Sequence, residues 1–339
     1  MNLVVIAGKG EVGERAAAIV DGLTGRHPSR TLIVSSADPD GPAWLDAQVQ
    51  AHCLLPTAGA AEICAELVYL TAGGQTAQHL AGVVAPLLIH DLPVTAWWPN
   101  EPRFESAQTQ DLLEMADRVL VDGSSWAGDG LSHLAALAQL PGRYKVEIAD
   151  FALLRQARWR EAIASTFDRP VLQPFLHGIR GIAVEYAARD GTPGASNVVR
   201  PLYHVAWLAS RLGMTVEEPL VRSEEPWVGY RATLRAGRRR IAVELRPIES
   251  AVIRGTTLAV EILARRGSQG LRIEVTGQAE SVTVGATLDG EGMAPRRFLS
   301  PRRHEGELLA ETLEGVAADK ISAGALAMAG AIIGPGARR

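Results

Sequence analysis

The chain contains only two cysteines, Cys53 and Cys64, among its 339 residues. Two cysteines are too few for a disulfide-stabilised scaffold, and their spacing does not match a structural zinc site. The sequence also lacks an excess of positive charge, because 34 basic side chains stand against 38 acidic ones and leave a formal net charge of -4. Binding to a nucleic-acid backbone favours a strong positive bias, so we expect no nucleic-acid partner.

Long apolar segments are missing too. The apolar run near the carboxyl end, from Ala323 to Gly334, is well short of the roughly 20 residues of a membrane helix and is rich in alanine and glycine. We expect a terminal helix there and no membrane association. At the amino end, the run from Leu3 to Ala7 follows no basic leader and stops at Gly8, too early for a signal peptide. These features predict a cytoplasmic protein.

The common catalytic motifs are also absent. The segment from Gly123 to Trp126 does not match G-x-S-x-G, His304-Glu305 has no second histidine four residues later, and the eight histidines are scattered. No catalytic or metal-binding residues are therefore predicted. Arginines at 238–240, 296–297 and 302–303 could bind a phosphorylated metabolite, although such clusters are more typical of solvated surface.

The residues that are present predict two domains. A chain of this length with 47% hydrophobic residues is long enough for about two cores. Residues 1–150 alternate predicted strands and helices, which is typical of an α/β domain with a mixed sheet. Residues 151–177 are helical and then proline-rich, which indicates a connecting segment. Residues 178–339 contain many short alternating segments and a long helix, which predict an α+β domain built on an antiparallel sheet.

The two cysteines can be placed by strand periodicity. Apolar and polar side chains alternate over residues 45–53, which predicts a half-buried strand with Cys53 on its apolar face. In the next predicted strand, Glu62 and Glu66 mark the outer face, and Cys64 shares their parity. We therefore expect the thiols on opposite faces, where without a bulge they cannot form a cross-strand disulfide. Ordinary packing is the preferred interpretation, and a regulatory redox pair is the alternative.

A glycine-rich turn follows the first predicted strand. Gly8, Gly10 and Gly13 match the G-x-G-x-x-G pattern and open a predicted helix, which is the setting of a dinucleotide-binding loop. However, Glu11 and Glu14 place negative charge where a pyrophosphate would bind. The preferred interpretation is a tight turn without a cofactor, and binding of NAD(P) or ATP is the alternative.

Two features beyond the turn also count against a dinucleotide site. The second predicted strand ends in Ser35-Ser36 and not in the acidic residue that would bind a ribose hydroxyl. In addition, a hairpin is predicted after that strand, whereas the doubly wound fold needs a third parallel strand after another helix.

Two of the seven tryptophans stand side by side in a short predicted strand between Pro93 and Pro99. Because neighbouring strand residues point to opposite faces, Trp97 and Trp98 cannot share one core unless both faces of the sheet are covered. Either both indoles are buried between the sheet and helices, or Trp97, Trp98 and Pro99 offer rigid contact area to a partner.

Several segments are informative in combination and in their order along the chain. They are His27-Pro28-Ser29-Arg30, Leu45-Asp46-Ala47-Gln48-Val49, Pro86-Leu87-Leu88, Asp91-Leu92-Pro93-Val94, Trp97-Trp98-Pro99, Ala116-Asp117-Arg118, Val121-Asp122, Trp159-Arg160, Phe167-Asp168 and Trp207 to Gly213. Together they resemble the glucose-6-phosphate dehydrogenase assembly protein family (OpcA) over most of the chain. The sequence departs from that family's pattern at Gly8 to Gly13 and after Lys320.

The resemblance implies a non-enzymatic protein that binds glucose-6-phosphate dehydrogenase in the oxidative pentose phosphate pathway. Such a protein promotes assembly of the dehydrogenase or activates it allosterically. Trp97, Trp98 and Pro99 are then candidate partner-binding residues, and no cofactor is implied. The sequence is also compatible with a homo-oligomer.

Overall fold

The computed structural model describes residues 1–8, 10–23, 26–27, 29–38, 40–54, 63–188, 196–224, 228–315 and 320–335. Pro28 and Glu62, which are named in the sequence analysis, lie outside these ranges, and so does Lys9 of the glycine-rich turn. The chain forms two compact units. The first comprises Met1–Ser125, Leu140–Phe151 and His304–Ala318, and the second comprises Trp126–Gln139, Ala152–Arg303 and Asp319–Arg339. Each unit is therefore built from three separate segments of the chain.

Most of the described residues lie in strands or helices. The strands are β1 Asn2–Gly8, β2 Arg30–Ser36, β3 Trp44–Leu54, β4 Ile63–Gly73, β5 Val94–Trp97, β6 Arg118–Val121, β7 Glu147–Asp150, β8 Ile179–Ala188, β9 Thr215–Ser223, β10 Gly229–Ala236, β11 Arg239–Glu249, β12 Thr257–Arg266, β13 Gln269–Gln278, β14 Ser281–Leu288 and β15 Glu291–Leu299. The α-helices are α1 Gly10–Asp21, α2 Gly74–Gln78, α3 Leu80–Val84, α4 Ala107–Met115, α5 Leu131–Leu137, α6 Leu140–Arg143, α7 Phe151–Leu154, α8 Ala157–Phe167, α9 Val199–Arg211, α10 Glu305–Glu314 and α11 Lys320–Ile333.

The first unit contains a seven-stranded sheet in the order β3-β4-β2-β1-β5-β6-β7. Every neighbouring pair is parallel except β3 with β4, so the sheet is mixed, as the sequence predicts. The expectation that the hairpin after β2 excludes a third parallel strand is wrong, because β4 returns parallel to β2. Without the antiparallel β3, the strand order is that of a doubly wound nucleotide-binding fold.

Consecutive residues of β1 are buried, which shows that both faces of the sheet are covered at its centre. Leu3, Val4 and Val5 are at most 2% exposed. The side chain of Asn2 is also buried. Its amide donates to the carbonyl oxygens of Ile89 and Leu92, and its oxygen accepts from the Ile89 amide, so it holds the segment before β5 in place. The first strand thereby positions the start of the tryptophan strand.

The two cysteines form a disulfide, contrary to the prediction from strand parity. Cys53 and Cys64 are directly opposite each other in the antiparallel pair of β3 and β4, with their Cα atoms 4.1 Å apart. Opposed residues share a face. The prediction failed because Val68 and Leu70, which have the parity of Cys64, are buried in the core under α2 and α3. Glu66 therefore does not mark a solvent face.

The second unit is built on an eight-stranded sheet in the order β15-β14-β13-β12-β8-β11-β10-β9. All neighbouring pairs are antiparallel except β8 with β11. Helix α9 contacts β8, β11 and β12, and α8 contacts β13, β14 and β15. This architecture confirms the predicted α+β class and adds one parallel pair to the predicted antiparallel sheet.

Helix α9 buries a histidine in the core of the second unit. His204 is 0% exposed, its ring lies 5.1 Å from the Trp159 ring, and neither ring nitrogen has a hydrogen-bond partner among the described residues. Burial, and secondarily the charge of Arg160, lowers the pKa of His204 to about 3. The ring is therefore neutral in the folded protein.

We expect this histidine to make the fold sensitive to acid. The unfolded chain takes up a proton near the ordinary pKa of 6.5, whereas the folded chain does not until about 3. The free energy of unfolding should therefore fall as pH drops through this interval, by up to about 1.4 kcal/mol per unit from this group. Urea unfolding at several pH values gives the free energy of unfolding as a function of pH, and this dependence should be shallower for His204→Leu than for wild type. His90→Leu, at an exposed position, is the control. An equal pH dependence for His204→Leu and wild type would contradict the assignment.

We also expect the disulfide to stabilise the first unit. Cross-linking residues 11 apart restricts the unfolded chain, which typically contributes about 2–4 kcal/mol. The double variant Cys53→Ser/Cys64→Ser should unfold at lower urea concentration than wild type, and reductant should shift only wild type. Alkylation without reductant followed by mass measurement is the direct check, and two labelled thiols in the native protein would contradict the bond.

Candidate functional site

The tryptophan strand lies inside the first sheet. Trp97 is opposite Val5 of β1 and Leu120 of β6. Trp97 and Trp98 are 0% and 3% exposed, and Pro99 is also buried. Both faces of the sheet are covered here, so two consecutive indoles can be buried on opposite sides. The structure thus agrees with the packing interpretation, and a direct contact of Trp97, Trp98 and Pro99 with a partner stays a prediction.

The glycine turn lies at the carboxyl end of β1, where the strand order reverses between β1 and β5. This is the position at which doubly wound sheets bind ligands. Gly8 has a φ of +68°, which favours glycine. A Cβ on Gly13 would lie 3.2 Å from Ile33, so α1 packs closely on β2. Gly10 has nothing within 4 Å of that position and is open.

The surroundings of this turn are polar and do not supply the usual ribose contact. The Asn100 amide donates to the Ala7 carbonyl oxygen at 2.9 Å, and the Ser36 hydroxyl donates to the Gly8 carbonyl oxygen at 3.4 Å. The first turn of α1 exposes Glu11, as the sequence predicts. The turn therefore has a glycine with positive φ, and it carries a negative side chain where a phosphate-binding loop would place its anion.

The arginine clusters contact groups of the protein itself. Arg240 lies 2.6 Å from Glu218 and 3.1 Å from Glu217, and Arg239 donates to the Ile179 carbonyl oxygen. Arg296 donates to the Ser165 carbonyl oxygen. These contacts agree with the interpretation of solvated, paired surface arginines.

A broader feature, which sequence reasoning did not identify, is the uncovered face of the eight-stranded sheet. Along β10, β11, β12 and β13, one set of alternate residues is buried and the other is more exposed to solvent. In β11, for example, Ile241, Val243 and Leu245 are at most 1% exposed, whereas Arg240 and Ala242 are exposed. We call the solvent-facing side the open sheet face. Its central members are Gly181, Ala183, Ala242, Glu244, Arg246, Glu261, Leu263 and Arg272.

The open sheet face combines small residues with paired charges. Gly181, Ala183 and Ala242 line a shallow depression at its centre, and a second depression of ≈ 430 Å³ lies over β9, β10 and β11. Arg272 pairs with Glu261 at 2.6 Å across β12 and β13. Leu263 adds an apolar side chain that is 42% exposed. The face therefore has no excess of positive charge of the kind that would favour phosphate binding.

In the described part of the chain, no three His, Cys, Asp or Glu side chains are grouped so that they could hold a metal ion. Within the same residues, no helix is both long and apolar enough to cross a membrane.

Comparison with known proteins gives similarity at two levels. A protein of Synechocystis sp. described as an OxPP cycle protein, OpcA, is 30% identical over 215 residues, which are 62% of this chain and 42% of that protein. The chain thus spans about two fifths of this relative's length. The structure of a Thermotoga maritima protein described as an oxidoreductase has a TM-score of 0.50 at 10% identity and covers 98% of this chain and 96% of that one. At this identity the likeness concerns the fold alone.

The family models are more specific than the fold. Residues 20–139 match the family described as the glucose-6-phosphate dehydrogenase subunit N-terminal domain. Residues 146–326 match the corresponding C-terminal domain, in the same order and over more than half of the chain. The chain therefore belongs to the OpcA family of glucose-6-phosphate dehydrogenase assembly proteins.

Proposed function

We propose that this chain is a non-enzymatic assembly factor and allosteric activator of glucose-6-phosphate dehydrogenase. The observation that carries the proposal is the pair of consecutive matches to the two domains of a glucose-6-phosphate dehydrogenase subunit family. The partner is then the dehydrogenase, and the chain acts in the oxidative pentose phosphate pathway. Its place of action is the cytoplasm.

The open sheet face is the surface that we assign to the dehydrogenase. Exposed ion pairs such as Arg272 with Glu261 contribute only about 0–1 kcal/mol each, so they can be exchanged for pairs with a partner at small cost. The small residues Gly181, Ala183 and Ala242 allow a partner's side chains to approach the sheet. Leu263 supplies an exposed apolar contact near this depression. A flat protein surface matches these properties.

The tryptophan strand has a different part in the proposal. Trp97, Trp98 and Pro99 are buried in the free chain. Because a partner could contact these buried residues only after the parts of the chain that cover them move, the open sheet face is the simpler docking surface. Their predicted role in partner binding can be tested beside that of Leu263.

We expect the purified chain to co-migrate with the dehydrogenase from the same organism and to change its substrate saturation curve. Size-exclusion chromatography with light scattering measures the complex, and steady-state kinetics measures the activation. No co-migration together with unchanged kinetics would contradict the function itself.

Leu263→Asp tests the docking surface in the same two assays. A carboxylate at the centre of the face should raise the dissociation constant at least about tenfold, which corresponds to about 1.4 kcal/mol. Ile253→Asp is the matched control, because Ile253 is 65% exposed in a loop outside this face. Equal binding by Leu263→Asp and wild type would show that the dehydrogenase contacts a different surface. Weaker binding by Trp98→Phe at unchanged stability would support contact through the tryptophans.

Nucleotide binding at the glycine turn is a second candidate function. The observation that favours it is the position of Gly8 to Gly13 at the point where the parallel strand order reverses. A sensor that binds NAD(P) or ATP there could report the supply of cofactor to the dehydrogenase reaction. Glu11 and the absence of an acidic residue at the end of β2 count against it.

Titration calorimetry with NADP, NAD and ATP tests this candidate. If a nucleotide binds, Gly10→Asp should abolish the heat signal, because the position is open to a side chain and a carboxylate would repel phosphate. Gly82→Asp, at an equally open position in α3, should bind as wild type does. The absence of a binding heat with all three nucleotides would contradict nucleotide binding at the glycine turn.

A further inference from the structure

The two sheets end in four edge strands, and three of them carry features that discourage pairing with another chain. β7 has only four residues. β9 contains Pro219, and its register with β10 shifts twice. β15 contains Pro295 followed by two arginines, and its register with β14 also shifts. Short length, proline, charge and bulges are the usual means by which proteins protect sheet edges.

The fourth edge strand, β3, is not short and has no proline and no bulge, and its one carboxylate is Asp46. It is 11 residues long, contains no proline, lysine or arginine, and pairs with β4 without a register shift. Its apolar residues are also exposed, since Trp44, Leu45 and Val49 are 41%, 48% and 68% exposed. Among the edges that the structure describes, β3 alone is long, regular and rich in exposed apolar side chains. An edge strand with these properties is suited to pairing with a strand of another chain.

The backbone groups that face outward from β3 can be identified. Cys53 and Cys64 are opposed with their Cα atoms 4.1 Å apart, which is the short spacing of a non-hydrogen-bonded pair. The amide and carbonyl of Cys53 therefore point away from β4. Because the register is regular, the same holds for every second residue, which includes Leu45, Ala47, Val49 and Ala51. Five residues thus present unpaired donors and acceptors along this edge.

We propose that β3 pairs with β3 of a second copy of this chain, antiparallel and centred on Val49. In this arrangement Val49 is opposite Val49 of the other copy, and Ala47 is opposite Ala51. These are the outward-facing residues, so five opposed pairs each exchange two backbone hydrogen bonds. The interface is isologous, as in most homodimers, and it joins the two seven-stranded sheets into one.

In this register, the side chains of β3 lie opposite chemically compatible side chains of the second copy. On one face, Leu45, Ala47, Val49 and Ala51 meet only apolar residues or the disulfide-bonded Cys53. On the other face, Gln48 is opposite Gln50, and their amides can hydrogen-bond to each other. Asp46, the only carboxylate of the strand, is not opposite its own copy. A centre at Val49 also pairs all 11 residues, whereas any other centre leaves some unpaired.

The oligomeric state of the full chain without the dehydrogenase tests the proposal. Light scattering over a concentration series should give twice the 36.1 kDa of one chain for wild type. Val49→Lys, which opposes two ammonium groups, and Val49→Pro, which removes an outward donor and leaves the ladder to β4 intact, should both shift the mass to one chain. Val252→Lys is the matched control, because Val252 is 49% exposed in a loop and should remain dimeric.

Cysteine cross-linking tests the register. Val49→Cys places two thiols in a hydrogen-bonded pair with Cα atoms about 5.5 Å apart, which a disulfide can span. Mild oxidation should therefore give a covalent dimer on a non-reducing gel. Ala47→Cys should give at least about tenfold less, because two copies of residue 47 lie four residues apart along the strands, about 13 Å.

Three results would overturn the proposal. They are a wild-type mass of one chain at every concentration, a dimer that survives both Val49 variants, and equal cross-linking of the two cysteine variants. Loss of dehydrogenase co-migration in Val49→Lys with a monomeric wild type would instead assign the edge to the dehydrogenase. Dimerisation is measured without the dehydrogenase, so failure here is distinguishable from failure of the proposed assembly function.

Discussion

The second unit depends on one constraint, which is that helices cover only one face of its eight-stranded sheet. Strands β10, β11, β12 and β13 then alternate between buried and solvent-facing side chains, as Ile241, Val243 and Leu245 do against Arg240 and Ala242. The same constraint leaves a wide surface on which charges can remain only if they are solvated or paired. The ion pair between Arg272 and Glu261 meets this requirement. In the first unit, helices cover both faces of the sheet and the alternation disappears.

This difference between the units explains how much of the structure could be predicted from sequence. Where one face is solvated, the alternating segments within residues 178–339 correctly predict strands such as β11 and β13, and the long helix predicted there is α9. In the first unit the same rule misplaced Cys64, because Val68 is buried on the side that Glu66 appeared to mark as outer. The four-residue β7 was not predicted, because Glu147 and Asp150 at its ends leave only two apolar residues between them. Position at a sheet edge is a tertiary property, so neither the exposure of Val49 nor the open sheet face could be read from local pattern.

The candidate sites also differ in how much of their structure the sequence predicts. The glycine pattern at Gly8 to Gly13 correctly predicts a turn between β1 and α1, since a positive φ and close helix packing are local requirements. The tryptophan pair is one of the segments that resemble the family, but Trp97 lies between Val5 of β1 and Leu120 of β6, and its position between these strands is a tertiary property. A fold shared with an oxidoreductase at 10% identity and a family of assembly proteins are compatible, because function resides in sites and not in the fold.

The place of β8 in its sheet has a consequence for how the second unit folds. β8 is the first strand of that sheet in sequence, yet it lies between β12 and β11, and its parallel partner β11 begins about 60 residues later. Neither of its edges can be paired until two hairpins and α9 have been synthesised and brought back. The loop-closure entropy of these distant contacts must be overcome before they stabilise anything, which is the origin of slow folding in sheets of high contact order. Until then, the most buried strand of the unit is the one most exposed to other chains.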